Sequence, residues 1–457
     1  MRIAVVGAGV GGLAAAIRHA AAGHRVTVLE QAALPGGKCG RAAAGGFTWD
    51  SGPSLLTMPD VFRALFAATG APLEEELELL RVEPVTRYAF ADGSSFALSA
   101  DLPAAQEALE AWSPGAGADW TRFLGTCAGM WRAALPFLTG PPPWPPRLRA
   151  EPRPDPRDLV RVRPWQTVRG LARAHARDPR LRLVIERFAT YAGADPRRAP
   201  AALAVAGYVE HAFGAWHPRG GMYTLVEALT RRLEALGGEL RLRTPVERVL
   251  VTDGRARGVM TAAGAVPADA VVTNVDAPPG RREPSLSGFA LMLGLRGRTP
   301  GLVHHSIAFA ADYDAEFDDV FARRVPVADP TVYVCAPAAT EPAADEAWFV
   351  LVNAPAVGDR ADWRAYEERL IDRLGVRERV LARARRTPGD LERETGAPAG
   401  AIYGAAPHGR LATLRRPGPT VRGARGLWRV SGSAHPGGGL PLVALGAANV
   451  ARAIGPA

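Results

Sequence analysis

The chain has 457 residues, enough for a large core and, at roughly 100 to 200 residues per domain, for two or three domains. Its three cysteines are far apart and form no C-x-x-C pair, which argues against a disulfide framework or a zinc site and indicates a reducing compartment. The formal charge is +9 at pH 7, but no nucleic-acid-binding motif accompanies it, so we predict no nucleic-acid partner.

The first thirty residues predict a strand, a turn, a helix and a second strand. Apolar residues run from Ile3 to Val6, an alanine-rich helical pattern covers about Gly11 to Ala22, and a second strand pattern covers Arg25 to Leu29. The opening letters MRIAVVGAG are too short for the apolar region of a signal peptide, so we expect no leader. This order of elements is typical of a mononucleotide-binding unit in an α/β fold.

Four residues of this unit have positions that suit a dinucleotide. Gly7 permits the tight turn, Gly9 lets the backbone approach a pyrophosphate, and Gly12 lets the helix pack closely on the strand. Glu30, at the end of the second strand, is placed to accept hydrogen bonds from ribose hydroxyl groups. The phosphates would lie at the helix N-terminus, where free N–H groups favour negative charge.

The residues that follow bear on whether the dinucleotide is FAD or NAD. Gly36 and Gly37 precede Lys38 and Arg41, before a third strand of an NAD domain could form. Cations beside bare backbone are suited to the ribityl-phosphate half of a flavin, although Lys38 and Arg41 can also be ordinary surface charges. The pattern favours FAD.

The middle of the chain predicts a substrate domain. Residues 86–98 form a hairpin around Asp92-Gly93, and further strands in the second half complete a mostly antiparallel sheet. The stretches Pro103–Met130 and Trp165–Phe213 are helical in pattern and would cap this sheet over an apolar tunnel. Four aromatic residues either line the tunnel or belong to an ordinary core: Tyr191, Tyr208, Phe213 and Trp216.

A patch near residue 140 could contact a membrane. Arginines recur from Arg147 to Arg187, just after a group of aromatic and apolar residues, namely Trp131, Leu135, Phe137, Leu138 and Trp144. Interfacial tryptophans and arginines bind lipid headgroups, but a solvated helix face followed by a proline-rich connector gives the same pattern. No run of about 18 apolar residues occurs, so we expect no transmembrane helix.

The dinucleotide-binding pattern resumes after residue 214. The letters HPRGGM precede a long amphipathic helix, a strand from Val246 to Val249 could pass the adenine, and a further strand ends at Asn274. The segment GLWRVSG predicts a last strand. His304 and His305 are adjacent in a strand pattern, so their side chains should point to opposite faces, and we predict no metal site.

Five segments in this order resemble the bacterial phytoene-type carotenoid desaturase family. They are VVGAGVGGLAAAIRHAAAGHRVTVLEQAALPGGKCGR, DSGPSLLTMP, HPRGGM, DPTVYVCAP and GSAHPGGGLPLVALGA. The resemblance spans nearly the whole chain, and DSGPSLLTMP and HPGGGLPLV are the most specific of these segments. Lys38 stands where arginine is the commoner family residue, which leaves the charge but removes the forked phosphate contact.

The resemblance implies an FAD-binding domain of the glutathione-reductase type, assembled from separate segments. We expect it to comprise residues 1–75, 214–280 and 416–457. Residues 76–213 and 281–415 would form the substrate domain, a mixed or antiparallel sheet with a helical cap that touches a membrane near 103–213.

The resemblance also implies that the C-terminal turn lies beside the flavin ring. Gly432, Gly439, Leu440 and Pro441 would hold the cofactor, with the N–H groups of Gly439 and Leu440 stabilising negative charge on it. His435 is the candidate catalytic base, although it can equally shape the turn.

Asp50 is a second candidate base, but its place before Ser51-Gly52-Pro53 also suits a turn-capping residue.

The function that the resemblance implies is desaturation of a long carotenoid by hydride transfer to FAD. Two alternatives share the fold: an FAD oxidoreductase for an amine, a retinoid or a terminal methyl group, and a carrier of isoprenoids without catalysis. The expected partners are a long apolar isoprenoid and a membrane surface, for a cytoplasmic protein bound peripherally. The oligomeric state stays open.

Overall fold

The computed structural model of the chain describes residues 1–141 and 156–457. The described residues form these strands: β1 Arg2–Val6, β2 Arg25–Leu29, β3 Arg41–Ala44, β4 Phe47–Asp50, β5 Leu79–Arg81, β6 Thr86–Ala89, β7 Ser95–Leu98, β8 Trp216–Pro218, β9 Glu239–Arg241, β10 Val246–Thr252, β11 Arg255–Thr261, β12 Gly264–Pro267, β13 Ala270–Thr273, β14 Ser287–Leu295, β15 His305–Ala308, β16 Val332–Cys335, β17 Glu346–Ala354, β18 Val380–Arg386 and β19 Leu427–Arg429.

The α-helices are α1 Val10–Ala21, α2 Asp60–Ala67, α3 Leu102–Trp112, α4 Ala116–Leu138, α5 Pro156–Arg161, α6 Val168–His175, α7 Pro179–Arg187, α8 Val205–Phe213, α9 Tyr223–Ala235, α10 Tyr313–Phe317, α11 Trp363–Leu374, α12 Pro388–Thr395 and α13 Leu440–Ile454. Short 3₁₀ turns lie at Leu73–Glu75, Phe188–Ala192, Ala201–Ala204, Pro337–Ala339, Arg377–Arg379 and Pro398–Gly400, and a π-helical turn at Asp318–Arg323. Of these helices, none is long and apolar enough to cross a membrane.

A five-stranded parallel sheet collects strands from distant parts of the chain. Its order is β19-β13-β1-β2-β9, and every neighbouring pair is parallel. Helices α1, α9 and α13 bury their apolar faces against it in one core. The predicted strand–helix–strand unit at the start is therefore confirmed, and the last strand and helix return to it as expected.

Gly12 shows why this unit needs glycine. A Cβ atom at this position would lie 2.1 Å from the carbonyl oxygen of Gly7, so any larger residue would push α1 away from β1. The close packing of helix on strand that the motif predicted is thus enforced by the backbone.

A second sheet has seven strands in the order β18-β14-β17-β16-β15-β6-β7. All of its pairs are antiparallel except β15 with β6, which confirms the mostly antiparallel sheet. The hairpin β6–β7 turns at the predicted Asp92-Gly93. One face packs on α11 through Trp363, Tyr366 and Leu370.

A helical cap made mainly of α3, α4, α6, α7 and α8 covers one end of this sheet. These helices and the edge strands share a core rich in large side chains, of which Trp120 and Phe123 are fully buried. The helices of the cap therefore lie mainly in the two stretches that were predicted to be helical, Pro103–Met130 and Trp165–Phe213. The domain boundaries at 75, 213, 280 and 415 stay a prediction.

Candidate functional site

A single cavity of about 1070 Å³ connects the parallel sheet with the helical cap. At one end it is lined by the glycine turn after β1, and at the other by apolar residues of α4 and α8. Its walls therefore combine the predicted cofactor site and the predicted tunnel in one continuous space.

The glycine turn is open toward this cavity. Helix α1 has Gly9 at its N-cap with no side-chain cap, so its first N–H groups are free to bind an anion. A Cβ atom at Gly9 would lie 2.6 Å from Oδ1 of Asn274, whose side-chain amide donates to the carbonyl of Val430 at 2.5 Å. Gly7, Gly9 and Asn274 thus form one tight cradle.

Glu30 lies at the end of β2 with only 7% of its surface exposed. Its carboxylate accepts hydrogen bonds from the N–H groups of Ala8 at 2.7 Å and Ala32 at 2.9 Å. These contacts hold the carboxylate against the glycine turn, where it lines the cavity together with Val246. The position fits a ribose-binding role for Glu30.

Lys38 and Arg41 have different surroundings in the structure. Lys38 lines the cavity beside Gly37 and contacts the carboxylate of Asp276 and the carbonyl of Ile402. Arg41 does not line it, because β3 turns its side chain toward Glu227, with which it forms a 3.0 Å ion pair. The prediction that Arg41 contacts the cofactor is therefore not supported.

The C-terminal turn lies across the cavity from the first glycine turn. Gly432, Gly439, Leu440 and Pro441 all line it. Helix α13 begins at Leu440 after Gly439, which has φ of 106° and provides no side-chain cap. The residues at this helix start therefore line the cavity with no side chain bonded to their N–H groups.

These features fit FAD. Two uncapped helix N-termini, a backbone with no room for side chains at Gly9 and Gly12, and the carboxylate of Glu30 are what a long dinucleotide with a pyrophosphate and a redox ring requires. Gly7, Gly9, Glu30 and Asn274 would hold the ADP half, and the turn at Gly439 would lie beside the ring.

His435 lines the cavity but is held by the backbone. Its Nε2 lies 3.3 Å from the carbonyl oxygen of Gly140, and only 8% of its surface is exposed. Burial lowers the pKa of the imidazole, partly offset by hydrogen bonds to the carbonyls of Gly140 and Phe137. This contact is the backbone role that the sequence left open, and the catalytic role stays a prediction.

Asp50 lies outside the main cavity. Its carboxylate accepts hydrogen bonds from the N–H groups of Met222 at 2.7 Å and Tyr223 at 2.9 Å. It therefore caps the start of α9, whereas the sequence suggested that it caps the turn at Ser51-Gly52-Pro53. It borders a smaller cavity of about 180 Å³ instead.

The structure decides which of the four aromatic residues line the tunnel and which belong to an ordinary core. Of the four aromatic residues, Tyr191 lines the cavity, whereas Tyr208, Phe213 and Trp216 do not. Phe213 packs edge-on against Trp131, and the indole of Trp216 donates to the carbonyl of Phe213 at 2.7 Å. The residues that line it from the cap and the neighbouring loop are Leu55, Met58, Met130, Trp131, Ala134, Phe137, Leu138, Val205, Ala206 and Val209.

The proposed membrane patch is only partly described. Trp144 and Arg147 lie outside the described residues. Trp131 is buried and lines the tunnel, so it is no surface residue, whereas Leu135, Val160 and Trp165 are exposed.

A polar group in the tunnel was not predicted. Glu210 lines the cavity, with its Oε1 accepting a 2.9 Å hydrogen bond from the Tyr191 hydroxyl, to which Arg187 donates at 2.9 Å. Oε2 of Glu210 is buried with no hydrogen-bond partner among the described residues. Burial raises the pKa of this carboxyl group to about 7. A polar residue within the apolar face of α8 was the signal that could have revealed it.

Arg386 also went unpredicted. It is 7% exposed at the end of β18, and its guanidinium donates to the carbonyls of Gly37 at 3.2 Å and Ser51 at 3.1 Å. It therefore ties the antiparallel sheet to the glycine-rich segment that follows β2. Arg386 is one of several arginines in β18, so the sequence gives no signal for this contact.

The expectation that His304 and His305 point to opposite faces is wrong. His304 precedes β15, where the chain is not yet extended into the sheet, and the two ring centroids are 4.5 Å apart. Both imidazoles are buried.

Comparisons with known proteins identify the family of the chain. The family profile described as "Flavin containing amine oxidoreductase" matches residues 10–286. The chain is 34% identical to the zeta-carotene-forming phytoene desaturase of Myxococcus xanthus, over 98% of this chain and 92% of that protein. It is 37% identical to the hydroxyneurosporene desaturase of Rubrivivax gelatinosus, over 97% of this chain and 91% of that protein.

A solved structure shares the fold. An oxidoreductase from Methanosarcina mazei superposes with a TM-score of 0.63 at 18% identity, covering 99% of this chain and 100% of that chain. The predicted α/β fold and the predicted cofactor, FAD, are confirmed. The chain belongs to the flavin-containing amine oxidoreductases and, within them, to the family of bacterial carotenoid desaturases.

Proposed function

We propose that this protein is an FAD-dependent desaturase that introduces carbon–carbon double bonds into a long acyclic carotenoid. The observation that carries the proposal is the continuity of the cavity, which runs from the cofactor cradle at Gly9 and Gly439 to the apolar walls of α4 and α8. A hydrocarbon chain in this space would bring its allylic carbons to the redox ring while its ends stay in apolar surroundings.

The chemistry divides between cofactor and protein. FAD supplies the hydride acceptor when it is bound. The protein must hold the polyene, exclude water from the developing allylic cation, and accept a proton from the neighbouring carbon. The electron pair of that C–H bond becomes the π bond of the new double bond. The apolar cap residues serve the first two tasks.

Glu210 is the better placed proton acceptor. Its Oε2 has no partner among the described residues and belongs to a cavity-lining carboxyl group, whereas His435 is engaged with the carbonyl of Gly140. A pKa near 7 suits a base that must accept and then release a proton at neutral pH. We therefore assign proton removal to Glu210 and give His435 the role of shaping the turn beside the ring.

The cap supports a peripheral membrane location. Val160 and Trp165 are exposed at 60% and 55%, and their neighbours Val162 and Pro164 line the cavity. An exposed apolar surface next to the tunnel would let a lipid-dissolved polyene enter without crossing water.

The first experiment is an anaerobic absorbance titration of the full-length protein with FAD and liposomes that contain phytoene or a more unsaturated carotene. We expect the oxidised flavin band to bleach while polyene absorbance rises, and the protein to float with the vesicles. Flavin that stays oxidised with every polyene but bleaches with an amine would contradict the proposal. A protein that binds polyene but no FAD would be a carrier.

A further inference from the structure

Two histidines and a cysteine form a buried cluster behind the wall of the tunnel. His304, His305 and Cys335 are 3%, 1% and 3% exposed, and their candidate ligand atoms all lie within 4.8 Å of one another. His305 on β15 is the register partner of Cys335 on β16, so the pairing of these strands places the two side chains together. We call these residues the histidine–cysteine cluster.

Each imidazole of the cluster is held through one nitrogen and leaves the other free. Nδ1 of His304 lies 2.6 Å from the hydroxyl of Thr340, and Nδ1 of His305 lies 2.7 Å from the hydroxyl of Tyr333. Nε2 of both rings is buried without a hydrogen-bond partner among the described residues. An oriented ring with one free nitrogen is the arrangement that metal-ligating histidines show.

The hydroxyl contacts are consistent with free lone pairs on the Nε2 atoms. The hydroxyl of Tyr333 also lies 2.6 Å from that of Ser54. A series of hydrogen bonds can therefore form in which Nδ1–H of His305 donates to Tyr333 and Tyr333 donates to Ser54. Buried acceptors without a donor are rare in folded proteins and require an explanation.

A third histidine adjoins the cluster. The ring centroid of His217 is 4.7 Å from that of His304. Its Nε2 lies 2.6 Å from the carboxylate of Glu341, and its Nδ1 is buried without a partner among the described residues. Three histidines that each carry a polar partner on one side and a free nitrogen on the other are difficult to explain by packing alone.

We propose that the histidine–cysteine cluster is a structural zinc site, with His304, His305 and Cys335 as ligands and His217 as the candidate fourth. Two imidazoles and a thiolate suit Zn²⁺, which prefers nitrogen and sulfur ligands in a four-coordinate site. Binding breaks the S–H bond of Cys335, the thiolate binds the metal, and the proton leaves to the solvent. No electron is transferred.

The site would fix the wall of the tunnel. His305 lines the main cavity and Cys335 the smaller one, so the ion would lie between them and join β15, β16 and the segment before β15. It needs neither FAD nor polyene, so the inference stands apart from the proposed function.

The test measures zinc in the full-length protein purified with FAD and dialysed against a weak chelator. We expect about one zinc per chain, and a cobalt-substituted protein with a near-ultraviolet thiolate-to-metal absorption band. C335S should lose the band and most of the zinc, whereas C127S should keep both, because Cys127 is buried elsewhere against the carbonyl of Ala204.

A milder pair of variants guards against misfolding. T340V removes the hydroxyl partner of His304 and should weaken zinc binding roughly ten- to hundredfold, whereas T340S keeps the hydroxyl and should bind zinc like the natural protein. FAD absorbance reports that each variant is folded. Folded protein without zinc and without the cobalt band would overturn the proposal, as would equal affinity in T340V and T340S.

Discussion

Glu210 shows how the environment of one side chain can decide its chemistry. The groups that face it are the hydroxyl of Tyr191, the guanidinium of Arg187 and the ring of Tyr88. Burial outweighs the lowering effects of Tyr191 and Arg187, so the pKa of the carboxyl group rises to about 7. A carboxylate on the surface would be too weak a base for this role.

We expect E210Q to lower the rate of polyene-dependent flavin reduction about hundredfold or more, because the amide cannot accept the proton. In the natural protein this rate should rise as the pH increases through about 7, since only the ionised carboxylate acts as a base. Stopped-flow absorbance at several pH values measures both. The variant should still bind FAD, and an unchanged pH profile in E210Q would assign the base elsewhere.

At the scale of an element, α8 explains why Tyr208 does not line the tunnel. Val205, Ala206, Val209 and Glu210 share the helix face that lines the cavity, whereas Tyr208 lies about 200° around the helix from both Ala206 and Glu210. The sequence prediction chose aromatic residues by type. On α8 the residues that line the cavity are small, and they leave the space that a long substrate needs.

A bulky residue on this face should therefore close the tunnel. We expect A206W to abolish polyene-dependent bleaching of the flavin while FAD binding stays normal, because the indole would occupy the cavity beside Glu210. A212W is the matched control on the same helix, since Ala212 is exposed. Equal activity of the two variants in the anaerobic titration would show that the polyene does not lie along α8.

At the scale of the whole molecule, Arg386 connects the antiparallel sheet to the cofactor cradle. Its guanidinium reaches the carbonyls of Gly37, Lys38 and Ser51 from the end of β18. These acceptors line the cavity, so one buried cation ties the antiparallel sheet to the loops on this side of it.

Removal of this cation should destabilise the fold and weaken cofactor binding. We expect R386A to lower the free energy of unfolding by about 2–3 kcal/mol and to weaken FAD binding, because buried carbonyls lose a charged donor. R364A should change stability by less than about 0.5 kcal/mol, since Arg364 is exposed near the start of α11. Denaturant unfolding and FAD titration compare the two, and similar losses in both would contradict this role.

The sequence by itself determined the cofactor unit. The strand, turn, helix and second strand that carry Gly7, Gly9, Gly12 and Glu30 were predicted correctly because their signal is local: a turn, a helix start and a strand end within thirty residues, each with its own backbone requirement. The hairpin at Asp92-Gly93 was predictable for the same reason. The C-terminal turn needed the family resemblance to connect it with the first turn.

The tertiary structure alone decided which distant side chains meet. Glu210 and Arg187 converge with Tyr191 on the tunnel, Arg386 reaches back to Gly37, and His304 and His305 gather with Cys335. Each contact depends on how separate helices and strands pack, and burial then sets the charge state of the groups brought together. Periodicity gives the face of an element, but it does not specify which element that face will meet.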